Sequence, residues 1–268
     1  MEAGYILSAH RHKETWRPMP EEETYDHLLP QTEIFLEHLG IRSVDSDFGT
    51  LQHFIQKTLR EGLDPQEATP PQRWQDHTIE KLVDVGCSVL DVGCGEGDLL
   101  VRLAEKRRSK VQAVELNQEM VIRCIERGIP VYHGDLERSL SNFSDGSFDY
   151  AIMEETLQTL TRPLEVLRQL LRIGRRVIVS FPNFAHWKVR LAFSLGGRMP
   201  KTASLPYTWY NTPNIHLCSI NDFLDWTVSD KVRICAAYVL CRGKVEEYQA
   251  EHNLSAEQAL FMVEKGAS

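Results

Sequence analysis

The chain has 268 residues, of which 42% are hydrophobic and 25% are charged, and a formal net charge of -8 at pH 7. These values are ordinary for a globular protein with one substantial α/β domain and some length left for an appendage. An acidic chain lacks a general attraction to nucleic acid or to an anionic bilayer, so neither is expected as a partner. We expect neither a secretory leader nor a membrane span, because no sustained apolar segment is present. The protein is therefore expected to be cytoplasmic.

The cysteines are scattered and form no C-x-x-C pair. We expect reduced thiols in or near the core rather than a disulfide framework, and no metal site. The six positions are Cys87, Cys94, Cys124, Cys218, Cys235 and Cys241.

The first part of the chain differs in pattern from the rest. QTEIFLEHLG and DFGTLQHFIQKTLREGL each have apolar residues at helical spacing, and the proline-rich LDPQEATPPQRW follows them. We predict that residues 1–70 form an N-terminal helical extension with a linker. Residues 71–268 are then the main domain.

Within the main domain, short apolar strands alternate with helical segments. The first five predicted strands are SVLDVG, KVQAVEL, IPVYHGD, SFDYAIM and RVIVSFPN, and VRICAAYVL and EQALFMV follow as the sixth and seventh. Strands separated by helices of this length indicate β-α-β crossovers and a parallel sheet covered on both faces. The pattern predicts an α/β fold with a Rossmann-like, doubly wound, mostly parallel seven-stranded sheet. A long aromatic-rich insertion follows the fifth strand.

The turn after the first strand, within VLDVGCGEGDLL, is the strongest candidate for a binding site. Such a turn lies at the carboxyl edge of a parallel sheet, where glycine lets the backbone approach a ligand and a helix offers free N–H groups. The phosphate-binding string G-x-x-x-x-G-K-[ST] is absent. The dinucleotide pattern G-x-G-x-x-G fails too, because the required third glycine is Asp98 or Leu100. This spacing argues against an oxidoreductase, and a tight structural turn without a ligand stays an alternative.

The remaining pattern, an acid followed by three alternating glycines from Asp91 to Gly97, resembles motif I of the class I S-adenosylmethionine-dependent methyltransferases. The resemblance implies the class I methyltransferase fold and S-adenosyl-L-methionine as the cofactor. It also implies that Asp91, Gly93, Gly95 and Gly97 surround the methionyl end of that cofactor. Glu115, at the end of the second strand, would take both ribose hydroxyls, and Asp135, after the third strand, would meet the adenine amino group. The alternative is that both acids are ordinary loop carboxylates.

The second half of the chain resembles one particular family within this class. The runs TLQ, SFPNFAHW, GRMP, PYTWYNTPNIHLC and NLSAEQALFMV are similar to those of the methionine biosynthesis protein family MetW. The similarity covers about residues 74–265, and the family offers no role for residues 1–70. It implies a link to methionine biosynthesis through homoserine O-acyltransferase as a partner.

Two hypotheses about activity stay open. In the first, the chain transfers a methyl group to a small-molecule acceptor, with Glu155 or His186 as the base and the aromatic insertion closing over the acceptor. Other candidate side chains for that pocket are Glu154, Asn183, Tyr207, Tyr210 and His216. In the second, the chain binds S-adenosylmethionine and acts as a catalytically quiet partner or regulator of homoserine O-acyltransferase, docking through Ser180–Cys218. The absence of [ND]-P-P-[YF] after the fourth strand argues against methylation of DNA bases.

Overall fold

In the computed structural model of the protein, residues 73–197 and 199–266 are described. The strands are β1 Ser88–Val92, β2 Lys110–Glu115, β3 Val131–His133, β4 Phe148–Glu154, β5 Gly174–Pro182, β6 Val232–Cys241, β7 Lys244–Glu247 and β8 Gln258–Lys265. The helices are α1 Trp74–Leu82, α2 Asp98–Arg107, α3 Gln118–Glu126, α4 Leu136–Ser139, α5 Pro163–Ile173, α6 Trp187–Gly196, α7 Ile220–Ser229 and α8 His252–Ser255. The predicted extension over residues 1–70 lies outside the described residues and stays a prediction.

The strands form one mixed sheet in the order β3-β2-β1-β4-β5-β8-β6-β7. The first five in this order pair in parallel, whereas β8 pairs antiparallel with both β5 and β6, and β7 pairs antiparallel with β6. The α/β, mostly parallel prediction is confirmed, but the predicted number of seven strands is wrong. The additional strand is β7, whose four residues KVEE are all exposed and carry no apolar pattern.

The additional strand exists because a tight turn folds it back onto β6. Arg242 and Gly243 connect the two strands and have φ of 50° and 72°. Positive φ at both central residues is typical of a two-residue hairpin turn whose twist matches that of the strands.

Two helices begin at capping side chains. The Asn117 side chain accepts hydrogen bonds from the N–H groups of Glu119 and Met120, and α3 begins directly after it. Ser219 and Asp222 form a reciprocal capping box at the start of α7. The insertion contains one helix that was not predicted, α6, which ends at Gly197 with φ of 59°.

Apolar side chains cover both faces of the sheet, as a doubly wound fold requires. One face packs Phe181, Phe223 and Phe261 with α5 and α7. The opposite face packs Leu100 and Leu103 of α2 against the strands. The carboxyl ends of β1, β2, β4 and β5 therefore meet at one edge of a rigid core.

Among the described helices, none is long and apolar enough to cross a membrane.

Candidate functional site

The glycine loop between β1 and α2 takes a conformation that needs glycine. Gly93, Gly95 and Gly97 have φ of 77°, 55° and 78°, in the left-handed region. A Cβ at Gly93 would lie 2.8 Å from Thr156 Oγ1, so this position has no room for a side chain. A Cβ at Gly95 would meet no atom within 4 Å, and Gly95 lines a cavity of about 410 Å³. The middle of the loop thus exposes its backbone to a cleft, as a ligand cradle would.

Glu115, the last residue of β2, holds this loop in place. Its Oε2 accepts a hydrogen bond from Gly95 N at 3.0 Å, and its Oε1 accepts from Leu116 N and Asn117 N at 2.9 and 2.8 Å. The carboxylate therefore fixes the spacing between the ends of β1 and β2. Oε1 already accepts two hydrogen bonds, so Oε2 is the oxygen that keeps acceptor capacity for a ligand hydroxyl.

Asp135 lies after β3 and is the N-cap of the short helix α4. Its Oδ1 accepts from Glu137 N at 2.9 Å, and about half of its side chain is exposed. Since β3 pairs with β2 with His133 opposite Glu115, the chain places Asp135 beyond Glu115 along the same edge of the sheet. Asp91, Glu115 and Asp135 lie at the carboxyl ends of three neighbouring strands, as the sequence predicted.

The cavity beside the glycine loop is rich in carboxyl groups, and we call it the acidic cavity. Asp91, Glu154 and Glu155 contribute the carboxyl groups, and the further lining includes Arg73, Gln75, Gly93, Cys94, Gly95 and Gln258. Residues from the insertion, among them Ser204, Tyr207 and Asn214, complete the wall. The cavity is therefore bounded by β1, β4, β8, the start of α1 and the insertion.

Asp91 is the most unusual group in this cavity. It is only 3% exposed, and its carboxyl has no hydrogen-bond partner within residues 73–197 and 199–266. Burial raises the pKa of Asp91 to about 7; the Arg73 guanidinium opposes the rise, and the Asp76 and Glu115 carboxylates add to it. Burial also raises the pKa of Glu154 well above its usual range, and Asp91 adds to that rise. Buried carboxyl groups without partners suit a ligand that brings donors or positive charge.

Glu155 follows β4 directly and is held from two sides. Gln75 Nε2 and Gln258 Nε2 donate to its Oε1 at 2.9 and 2.5 Å, while Oε2 has no partner in the described part of the chain. Its φ of 46° is rare for a residue other than glycine, and such strain concentrates at functional positions. Burial raises the pKa of Glu155, and the Gln75 hydrogen bond and Arg73 oppose the rise.

The other predicted base, His186, lies elsewhere. It is 3% exposed at the start of α6, packs against Trp187, and is not among the residues lining the acidic cavity. Burial lowers the pKa of His186 to about 4, and nearby Lys188 adds to the effect. Of the two catalytic candidates, Glu155 lines the acidic cavity and His186 does not. Gly97, Glu115 and Asp135 lie outside the lining as well, along the loop and the neighbouring strand ends.

Asn183 has a structural position rather than a place in the cavity. Its Nδ2 donates to Asn253 O and Ala256 O, and its Oδ1 accepts from Ala185 N. These bonds tie the start of the insertion to α8.

Gln75 and Gln258 were not among the predicted site residues, and they lie 183 positions apart. Trp74 Nε1 donates to Gln258 Oε1 at 2.5 Å, so the first turn of α1, the start of β8 and Glu155 share one network. Only the tertiary fold brings these groups together. Arg73 was not among the predicted site residues, yet its guanidinium faces the carboxyl groups of the cavity.

The family model that matches this chain is that of the methionine biosynthesis protein MetW, over residues 73–263. The chain belongs to the MetW family. The matched region contains the glycine loop, the acidic cavity and the whole insertion.

Two relatives of this chain place the match in context. A bifunctional methionine biosynthesis protein MetXA/MetW from Rhodopirellula baltica is 34% identical over 194 residues, covering 68% of this chain and 31% of that protein. A magnesium-protoporphyrin O-methyltransferase from Rhodobacter capsulatus is 28% identical over 159 residues, covering 58% of this chain and 62% of that protein. The chain thus spans less than two thirds of either relative.

Solved structures show the fold. A SAM-dependent methyltransferase from Thermotoga maritima superposes with a TM-score of 0.52 at 16% identity, covering 89% of this chain and 100% of that one. A SAM-dependent methyltransferase from Mesorhizobium loti gives the same TM-score at 15% identity, covering 70% and 95%. The fold of this MetW-family chain is that of the class I methyltransferases.

Proposed function

We propose that this chain binds S-adenosylmethionine at the glycine loop and transfers its methyl group to a small-molecule acceptor in the acidic cavity. The observation that carries the proposal is the Asp91 carboxyl, which is buried, lacks a partner among the described residues, and lines a cavity beside an open glycine cradle. The family and the fold support the same proposal.

The described residues fit the three parts of this ligand. Asp91 would accept hydrogen bonds from the ammonium of the methionyl part, beside the exposed backbone of Gly95. Glu115 would accept from the ribose through Oε2 while it keeps the loop in position. Asp135 would accept from the adenine amino group with the oxygen that does not cap α4.

When bound, S-adenosylmethionine supplies an electrophilic methyl group on a positively charged sulfur. Ionised Asp91 makes the surroundings of that positive charge anionic and so favours its binding. The walls of the cavity hold the acceptor in line, which is where most of the rate enhancement of such a transfer comes from. Glu155 would take the proton that an acceptor hydroxyl loses when its oxygen is methylated.

An oxygen acceptor agrees with the name of the Rhodobacter capsulatus relative, an O-methyltransferase. The raised pKa of Glu155 suits this role, because a carboxylate with a higher pKa is a better proton acceptor near neutral pH. Gln75 and Gln258 orient the group through Oε1 and leave Oε2 for the proton.

Isothermal titration calorimetry with S-adenosylmethionine tests the binding part. The full chain is expected to bind, and Glu115→Ala is expected to raise Kd by about 100-fold, because the ribose partner is lost and the loop is released. Glu119→Ala is the matched control, since Glu119 lies four residues later with an exposed side chain paired to Arg123. No heat of binding for the folded wild-type chain, or equal Kd values for Glu115→Ala and Glu119→Ala, would contradict the proposal.

A second candidate function is favoured by one observation. In the Rhodopirellula baltica relative, MetW is joined to MetXA in one bifunctional protein. Joined modules often act on each other, since a shared chain raises their effective concentration. We infer that this chain can act as a partner of homoserine O-acyltransferase, the enzyme that the sequence resemblance implied.

The second candidate is tested by repeating the titration with purified homoserine O-acyltransferase present. If the two proteins are coupled, the Kd for S-adenosylmethionine changes, and the cofactor changes the affinity between the proteins by the same factor. An unchanged Kd together with no complex by analytical ultracentrifugation would exclude the regulatory function.

A further inference from the structure

A second cavity, of about 400 Å³, lies within the insertion, and we call it the apolar groove. Most of its walls are apolar side chains, whereas the acidic cavity is lined largely by polar groups. The principal apolar residues are Phe184, Val189, Phe193, Leu205, Trp209 and Leu217. Its volume lies in the range of small-molecule sites in proteins.

The groove and the acidic cavity share a wall. Tyr207 and Asn214 line both. The segment after Asn214 is anchored next to the proposed base, because Ile215 N and His216 N both donate to Gln158 O at 2.9 and 3.0 Å. Gln158 Nε2 in turn donates to Glu155 O at 2.7 Å. The wall between the two cavities is therefore held at a fixed position relative to Glu155.

The groove presents an unusual amount of apolar surface to solvent. Phe193, Trp209 and Leu217 are 57%, 75% and 60% exposed. Single exposed apolar residues are common, but several around one concavity indicate a binding site. Among the described residues that line the groove, Arg190 is the charged one, and residues 183–218 contain no Asp or Glu. The site therefore favours a neutral or anionic apolar body over a cationic one.

We propose that the apolar groove binds the apolar body of the methyl acceptor, whose hydroxyl reaches Glu155 past Tyr207 and Asn214. The acceptor is then an amphipathic small molecule with an apolar body and a polar end. This inference rests on the proposed function for the identity of the ligand. The evidence that the groove is a ligand site is the wall that it shares with the acidic cavity and its exposed apolar lining.

The test uses 1-anilinonaphthalene-8-sulfonate as a fluorescent probe and 4-alkylphenols, from ethyl to octyl, as competitors on the full chain. The probe is expected to bind saturably, and each added methylene of the competitor is expected to improve displacement about three- to fourfold until the groove is filled. Leu217→Asp is expected to weaken probe binding at least about tenfold and to remove the dependence on chain length. Val228→Asp is the matched control, because Val228 is 78% exposed on α7 and does not line the groove.

The S-adenosylmethionine Kd of the same variants separates the two proposals. An unchanged Kd in Leu217→Asp, with displacement lost, supports the groove as a separate subsite. If displacement of the probe depends on alkyl chain length but the chain does not bind S-adenosylmethionine, the proposed function is refuted and the groove is still a ligand site. Probe binding insensitive to Leu217→Asp, or displacement independent of chain length, overturns the inference. Displacement of the probe by homoserine O-acyltransferase but by none of the alkylphenols overturns it in favour of a protein-docking surface.

Discussion

Replacing Asp91 with asparagine is expected to stabilise the protein at alkaline pH while it weakens ligand binding. The carboxyl is 3% exposed, and its pKa rises from an ordinary value of 3.8 to about 7 because burial disfavours the charged form. One pKa unit corresponds to about 1.36 kcal/mol, so ionised Asp91 costs the folded state about 4 kcal/mol above pH 7. Asparagine has nearly the same shape and cannot ionise.

The sign and the pH range follow from the raised pKa. Below pH 3.8 Asp91 is protonated in both the folded and the unfolded state, so its ionisation has no effect on stability. As the pH rises towards 7, the unfolded state releases the proton while the folded state keeps it, and stability falls. Between pH 5 and pH 8 the wild-type chain should lose about 3 kcal/mol of unfolding free energy through this group, and Asp91→Asn should not. Removal of the Asp91 charge also lowers the pKa of Glu154, which acts in the same direction.

Urea unfolding monitored by circular dichroism at pH 5 and pH 8 measures this effect. The advantage of Asp91→Asn over the wild-type chain should grow by about 3 kcal/mol from the lower to the higher pH. Asp145→Asn is the control, since the Asp145 side chain is 78% exposed, and its effect should stay within about 0.5 kcal/mol. An advantage of Asp91→Asn that is independent of pH, or that shrinks at pH 8, would refute the reasoning.

Further predictions concern the ligand and the fold. The affinity for S-adenosylmethionine should increase from pH 5.5 to pH 8 as Asp91 ionises, and a calorimetric Kd that is constant over this range would contradict the proposed ion pair. Ser219→Ala should lower the unfolding free energy by about 1 kcal/mol, because it removes the capping box of α7; an unchanged urea midpoint would argue against that cap. Arg108→Gly should raise the unfolding free energy by about 0.5–1 kcal/mol, because Arg108 ends α2 with φ of 54°. A lower midpoint temperature of thermal unfolding in this variant would be inconsistent with that backbone conformation. Phe261→Ala should lower the unfolding free energy by about 3–5 kcal/mol, since Phe261 is fully buried against Phe181 and Phe223; a loss below 1 kcal/mol would place that ring outside the core.

The parallel half of the fold could be predicted because its signals are local. Buried strands alternate with amphipathic helices, and caps such as Asn117 mark where the helices begin. For the same reason Asp91, Glu115 and Asp135 could be placed at one edge of the sheet, since each lies at or just beyond the carboxyl end of a strand. Strand β7 could not be predicted from alternation, because KVEE has no buried face and pairs only through its hairpin with β6. Gly243 was the available signal for that hairpin.

The candidate base and its surroundings show the limit of local patterns. Glu155 was predicted from its position after a strand, but its partners Gln75 and Gln258 come from opposite ends of the described chain. His186 was predicted by the same rule, and the fold buries it at the start of α6 instead of in the acidic cavity. A residue that follows a strand reaches the edge of the sheet, yet packing of the next segment decides whether its side chain meets the cleft.

A crystal structure of the full chain with S-adenosylmethionine bound would test the central claim most directly. The account predicts that the ammonium lies within hydrogen-bond distance of Asp91, that the ribose hydroxyls contact Glu115, and that the methyl group faces Glu155 in the acidic cavity. A ligand bound elsewhere, or a methyl group that faces a wall closed off from Glu155 and Tyr207, would contradict it.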